Sequence, residues 1–190
     1  MIIKDKSKLE TPCDIVSIKE GEEIAVRILH ELRNSKTPGV GLAANQIGIN
    51  KRVCVINVKE PLVLINPKIV EKSEKTFVFP EGCLSFPKKH IRTLRYVSVT
   101  VEADNHDDKL LFSADSKDVD DAFECACVQH EIDHLDGITM FDRKFVKPQA
   151  VSNKIGRNEK VRIEKGSEFK TLKYKKAESL LEDGWTLSKV

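Results

Sequence analysis

The sequence has no apolar run approaching the roughly 20 residues needed to cross a bilayer. Its first residues, MIIKDKSKLE, alternate charged and aliphatic side chains and lack the apolar stretch of a secretory leader. Both absences lead to the expectation of a protein without membrane contact that works where it is made: the cytoplasm of a bacterium or an infected host cell, or an organelle. Nor is there an excess of one charge. The 32 Lys and Arg stand against 30 Asp and Glu, a formal net charge of +2, so no global basic field argues for nucleic acid and no specific DNA binding is expected. The five cysteines are an odd number without the spacing of a disulfide scaffold, which leaves thiols for a core or a metal. Internal repeats and low-complexity tracts are also absent. What remains is 190 residues, 40% hydrophobic and 33% charged, enough for one domain with a substantial core.

Helical spacing of Ile24, Ile28, Leu29 and Leu32 predicts a first helix over Glu20 to Ser35, with acidic residues in its first turn and Thr37-Pro38-Gly39 as its stop. Short β-type runs follow at Arg52 to Val58, Leu62 to Ile65, Thr76 to Phe79, Tyr96 to Ala103 and Lys109 to Ser113, with a turn at Asn105 to Asp108. Helical patterning returns from Val119 to Leu135. From Lys147 the composition shifts: Lys160 to Glu164 and Phe169 to Tyr174 flank Gly166 as a candidate hairpin, and Lys176 to Leu181 reads as a short helix. The expectation is an α+β catalytic domain over residues 1–147, with antiparallel or mixed sheets around a central metal-binding helix. Residues 148–190 form a small hairpin-plus-helix appendage.

Residues 130 to 134 are His-Glu-Ile-Asp-His. Positions four apart share one helix face, so His130 and His134 can address one cation. Glu131 lies one residue beyond the first histidine, where its carboxylate can take a proton from water acidified by that cation. The competing reading is a pair of ordinary polar histidines. Phe123, Ala126 and Cys127 favour the metal, because they make the same face apolar beside it. Gln129, Asp133 and Asp136 are each either supporting hydrogen-bond partners or solvated side chains.

Two histidines leave a tetrahedral cation short of one protein ligand beside an open position. No histidine follows His134. Candidates for the third ligand include Cys83, in Glu81-Gly82-Cys83-Leu84-Ser85 directly after a strand. Cys13, Cys54, Cys125 and Cys127 instead read as small buried hydrophobes.

Three segments together resemble the peptide deformylases: Gly39-Val40-Gly41-Leu42-Ala43-Ala44-Asn45-Gln46, Glu81-Gly82-Cys83-Leu84-Ser85 and Gln129-His130-Glu131-Ile132-Asp133-His134. The resemblance covers roughly residues 1 to 145. It implies that Cys83, His130 and His134 hold the metal, Fe(II) in cells with Zn(II), Ni(II) or Co(II) as substitutes. It implies that Glu131 is general base and then acid, and that Gln46 with the Leu84 N–H stabilises an oxyanion. The implied substrate is the formyl-methionyl end of a nascent chain. Its methionine would sit among Val40, Glu81, Phe123, Ala126 and Cys127, and its backbone would lie along Gly41 and Gly82 as an added strand.

The chain departs from the family pattern at Glu10 after Leu9, at His90, and at Glu124 and Ala126, which bears on peptide preference and pocket width. Its ending departs further. In place of a basic terminal helix, Lys170, Lys173, Lys175 and Lys176 cluster near Tyr174 and Trp185. This is either a ribosome contact through rRNA phosphates or a solvated basic face held by Trp185. Two other activities compete with deformylation. A zinc peptidase would need a later His or Glu ligand. A structural Cys-His-His site, or a deformylase-like binding module without catalysis, would need neither Glu131 nor Gln46.

Overall fold

The computed structural model describes residues 1–147 and 155–188. Its contacts divide the chain into two compact units, Met1–Val146 and Lys147–Val190.

The first unit contains α1 (Ile18–Arg33), β1 (Gly41–Ala43), β2 (Val53–Ile56), β3 (Leu62–Ile65), β4 (Lys68–Lys72), β5 (Thr76–Gly82), β6 (His90–Tyr96), β7 (Ser98–Glu102), β8 (Leu110–Ser113) and α2 (Val119–Leu135). All strand pairs are antiparallel, in the orders β1-β2-β3, β4-β7-β8 and β5-β6. The sequence expectation of an α+β fold around the His-Glu-Ile-Asp-His helix matches this arrangement. It did not include β1, β4 or β6. Thr37-Pro38-Gly39 lies beyond the end of α1, which stops at Arg33 with Asn34 donating back to His30 and Leu32.

The centre of the unit is β2, whose four residues Val-Cys-Val-Ile are all buried. A strand alternates its side chains between two faces, and here both faces are covered. Val53 and Val55 pack with Ile24, Ala25, Ile28 and Leu32 of α1. Cys54 and Ile56 pack with Cys125, Val128, Ile132 and Leu135 of α2. Helix α1 shows an ordinary apolar stripe, capped by Ser17, whose side chain accepts from the Glu20 N–H at 3.3 Å. Helix α2 is different: from Cys125 to Leu135 every residue is buried, eleven of seventeen in all. A helix enclosed on all sides can hold polar groups only where they find partners, and that constraint shapes the site.

The start and end of α2 are fixed locally. Asp118 accepts from the Asp120 N–H at 2.9 Å at the start. At the end the Ile138 N–H reaches the Asp133 carbonyl and the Gly137 N–H the His134 carbonyl, with Gly137 in the left-handed region at φ +74°. A Cβ at Gly137 would also lie 2.8 Å from the Glu10 carbonyl oxygen.

In the second unit, β9 (Lys160–Lys165), β10 (Glu168–Lys173), α3 (Tyr174–Glu182) and β11 (Thr186–Leu187) form a three-stranded sheet in the order β10-β9-β11 with one helix. Val161, Ile163, Ala177 and Trp185 make its core, joined by Ile155, Leu172, Tyr174, Leu180 and Leu181. Trp185 is thus a core residue of this unit, and β11, two residues long, is an addition to the hairpin and helix read from sequence.

Gly137→Ala combines a strained backbone with a backbone clash. It is expected to destabilise the first unit by roughly 1–3 kcal/mol, seen as a lower urea midpoint by circular dichroism. An unchanged midpoint would mean that the helix end is not held as described.

Candidate active site

The last two turns of α2 carry His130, Glu131 and His134, and the segment after β5 carries Cys83. Ligand atoms of Cys83, His130 and His134 all lie within 4.8 Å of one another, and Cys83 Sγ is 3.3 Å from His134 Nε2. Among the described residues this is the one such cluster. Its donor set of one thiolate and two imidazoles suits a tetrahedral cation with one position left for a non-protein ligand. Burial lowers the pKa of His134, helped by the neighbouring charges of His130 and Arg95, so its ring stays neutral and keeps a lone pair for a cation.

His130 is oriented by Glu81. Nδ1 of His130 and Oε2 of Glu81 are 2.9 Å apart. An ionised carboxylate only accepts, so Nδ1 carries the proton and Nε2 is the ring nitrogen turned to the cluster. Burial would lower the pKa of His130, but its hydrogen bonds to Cys83 and Glu81 more than offset this and raise it well above the ordinary value. Burial alone would raise the pKa of Glu81. The hydrogen bonds and charges of Arg95 and His130 more than offset it and hold the carboxyl well below the usual range. Glu81 also accepts from Thr93 Oγ1 at 2.7 Å and from Arg95 Nε and Nη2 at 2.5 and 2.9 Å. Arg95, only 2% exposed, continues to Asp133, which accepts from Arg143 Nη2 at 2.7 Å. A line of alternating charge, buried up to its half-exposed end at Arg143, thus runs His130–Glu81–Arg95–Asp133–Arg143.

Thr93 and Arg95 were not identified from sequence. They sit on β6, where His90-Ile91-Arg92-Thr93-Leu94-Arg95-Tyr96 faces Thr93 and Arg95 inward and Arg92 and Leu94 outward. Of the supporting residues read from sequence, Asp133 joins this line. The Gln129 amide instead bonds the Tyr96 backbone and the Cys125 carbonyl, and Asp136 pairs with Arg52 at 2.6 Å.

Glu131 is buried, and its Oε2 has no protein partner. Burial, tempered by His130, pushes its pKa up to about 7. Gln46 is held from behind: its Oε1 accepts from the Ala43 N–H at 2.8 Å. Its Nε2 donates to Ser85 Oγ at 3.0 Å and lies 3.4 Å from Cys83 Sγ. Leu84 follows Cys83, packed against Gly39, where a Cβ would stand 2.7 Å from its Cδ1. Gly41 is equally confined, since a Cβ there would lie 2.4 Å from Glu131 Oε1 and 2.7 Å from Cys127 Sγ.

Gln46, Cys83, His130 and Glu131 open on one cleft of about 420 Å³, lined also by Val40, Gly41, Phe79, Glu81, Gly82, Leu84, His90, Phe123, Ala126 and Cys127 among others. Phe123 and Phe79 stack at 5.7 Å on its wall. Every substrate-pocket residue predicted from sequence borders this cleft, although the Glu81 carboxylate is engaged with Arg95 and His130. The other cysteines lie apart from the cluster: burial pushes the thiols of Cys54, Cys125 and Cys127 up, and that of Cys13 up to about 11. Glu124 is half-buried beside Lys59, 3.6 Å away.

Because Glu81 is ionised in the fold below its ordinary value of 4.5, its stabilising contribution is complete above that pH and is lost as pH falls further. Urea titrations from pH 5 downward, on the order of one unit per step, should show a shallower decline for Glu81→Gln than for the unaltered chain. Arg95→Met, which removes the buried cation that Glu81 and Asp133 share, is expected to cost about 3–5 kcal/mol near neutral pH. Stability of Arg95→Met close to that of the unaltered chain would show that the charge line is not formed.

The Polypeptide deformylase family model matches residues 2–164 of the chain. A peptide deformylase of Natranaerobius thermophilus is 39% identical over 145 residues, spanning 75% of this chain and 85% of that protein. One from Rhizobium meliloti is 41% identical over 111 residues, 55% of this chain, and the chain spans only 61% of that relative's length. A crystal structure of a probable peptide deformylase from Synechococcus phage S-SSM7 is 33% identical, with a TM-score of 0.63 over 75% of this chain and 98% of that one. The chain belongs to the polypeptide deformylase family.

Proposed function

We propose that the chain hydrolyses the N-formyl group from the formyl-methionyl end of newly made polypeptides, releasing formate and a free amine. The observation that carries this reading is the convergence of an unpartnered buried carboxylate, Glu131, and a pre-oriented amide, Gln46, on a Cys-His-His cluster in one apolar cleft. A purely structural metal site would need four protein ligands and neither of those groups. A peptidase built on the same helix would leave Cys83 without a purpose.

Cys83, His130 and His134 would hold a divalent cation, Fe(II) in the cell with Zn(II), Ni(II) or Co(II) as substitutes, which would supply Lewis acidity toward the formyl oxygen and toward water. A half-exposed thiolate beside ferrous iron is open to oxidation, so anaerobic handling is required. Glu131 Oε2 takes the proton from the attacking water and passes it to the departing amine nitrogen. Gln46 Nε2 and the Leu84 N–H donate to the oxygen as the formyl carbon becomes tetrahedral. The free edges of β1 at Gly41 and of β5 at Gly82 receive the substrate backbone as an added strand. Val40, Phe123, Ala126 and Cys127 enclose the unbranched methionine side chain, with the backbone of Glu81 beside it. Gly41 is required at that edge, because any side chain would displace Glu131. On this reading the protein acts where formylated chains emerge, in the cytoplasm or an organelle, with residues 148–190 a candidate contact with the ribosome. Among the described residues, no helix is long and apolar enough to cross a membrane.

Formate release from a short formyl-methionyl peptide by the anaerobically Fe(II)-loaded protein tests the assignment. Glu131→Gln should bind metal normally and lose roughly 10²- to 10⁴-fold in rate. Equal rates in the two proteins would remove Glu131 from the chemistry, and no release from the fully loaded protein would reject the substrate.

A further inference from the structure

The second unit differs from the first in charge. Residues 147 to 190 hold 11 of the 32 Lys and Arg but only 6 of the 30 Asp and Glu, a formal +5, which leaves −3 on the preceding 146 residues. In β9, Val161 and Ile163 face the unit's core, so the strand period sends Lys160, Arg162 and Glu164 to the opposite face. Register adds their neighbours. Lys173 pairs with Lys160, Thr171 with Arg162, and Phe169 and Thr186 flank Glu164 from the two sides. All seven of these residues are exposed, while α3 packs on the other face, against Val161 and Ile163 through Ala177. The open face therefore carries three cations and two hydroxyls around one carboxylate, with an aromatic ring among them. Phe169 is 62% exposed, and the Arg162 guanidinium lies 4.2 Å from its ring centroid.

We propose that this sheet face binds single-stranded nucleic acid, with phosphates against Lys160, Arg162 and Lys173 and a base against Phe169 and the planar Arg162 cation. An aromatic ring beside cations on a flat sheet offers an unpaired base a stacking partner and its backbone a counter-charge. A flat face does not enter a duplex groove, which admits a helix or a narrow ribbon. An anionic bilayer would engage the cations but favours several apolar side chains for insertion, and this face has only Phe169. The inference rests on the second unit's own geometry and stands whether or not the cleft is a deformylase site.

The full-length, metal-loaded protein is titrated into a labelled oligouridylate of about 12 nucleotides and its oligothymidylate counterpart. A duplex of the same length and phosphatidylserine vesicles serve as comparisons. Saturable binding of either single strand, weakening with salt, is expected. Phe169→Ala, and separately Arg162→Ala with Lys173→Ala, should each weaken it about tenfold. Glu164→Gln should tighten it, and Lys175→Ala with Lys176→Ala on α3 should change it less than about twofold. No binding at low salt, tighter binding of the duplex or the vesicles, or an equal loss from the α3 lysine pair would overturn the proposal. Formate release measured on the same samples is expected to be unchanged by the sheet-face substitutions, so hydrolysis and binding succeed or fail separately.

Discussion

The hydrogen bond between His130 and Glu81 is the contact on which the site depends. It fixes which ring nitrogen of His130 is protonated, and so which one faces Cys83 and His134. Glu81 can play that part only while ionised inside the protein, and Arg95 keeps it so. Arg95 is itself acceptable in the interior because Asp133 accepts from Nη1, the nitrogen that Glu81 leaves free, and Arg143 neutralises Asp133 in turn. Each charge in the line makes its neighbour tolerable. Such a line contributes little net stability compared with an apolar core. What it provides is a single orientation for the His130 ring, at the cost of making every member indispensable to the rest.

The fold makes room for that line by enclosing α2 from Cys125 to Leu135. Strand β2 faces two cores at once, and α2 closes one of them with Cys125, Val128, Ile132 and Leu135. The remaining sides of the same helix present Gln129, His130, Glu131, Asp133 and His134, all buried. Four of the five meet protein partners or the ligand cluster. Glu131 Oε2 is left without a protein partner and its residue borders the cleft, where a general base would have to be. Small residues complete the arrangement: Gly41 lets β1 pass against Glu131, and Gly39 lets the same segment lie against Leu84.

Much of this was legible in the sequence because it is encoded locally. The bounds of α2 follow from Asp118 at its start and Asp136-Gly137 at its end, and the i,i+4 histidines name their own face. Cys83 was legible only as one candidate among several, until its motif was taken together with the other two. The partners of Glu81 were not legible, because β6 reverses the usual pattern. With Arg95 inside and Leu94 outside, its alternation reads as solvent-facing, and the only signal was an arginine in register with Thr93 and Ile91. Strand β1 was hidden by its three-residue length, β4 by the charges of Lys68, Glu71 and Lys72, and the third strand of the second unit by its two residues.

The account stands or falls on whether Glu81 orients a metal ligand. Cobalt(II) affinity, followed by the thiolate-to-cobalt absorption band, tests this in the unaltered protein and in Glu81→Gln, which keeps the shape of the side chain and removes its charge. The account predicts that the band persists while affinity falls about 10- to 100-fold. The same affinity and the same spectrum in both proteins would contradict it.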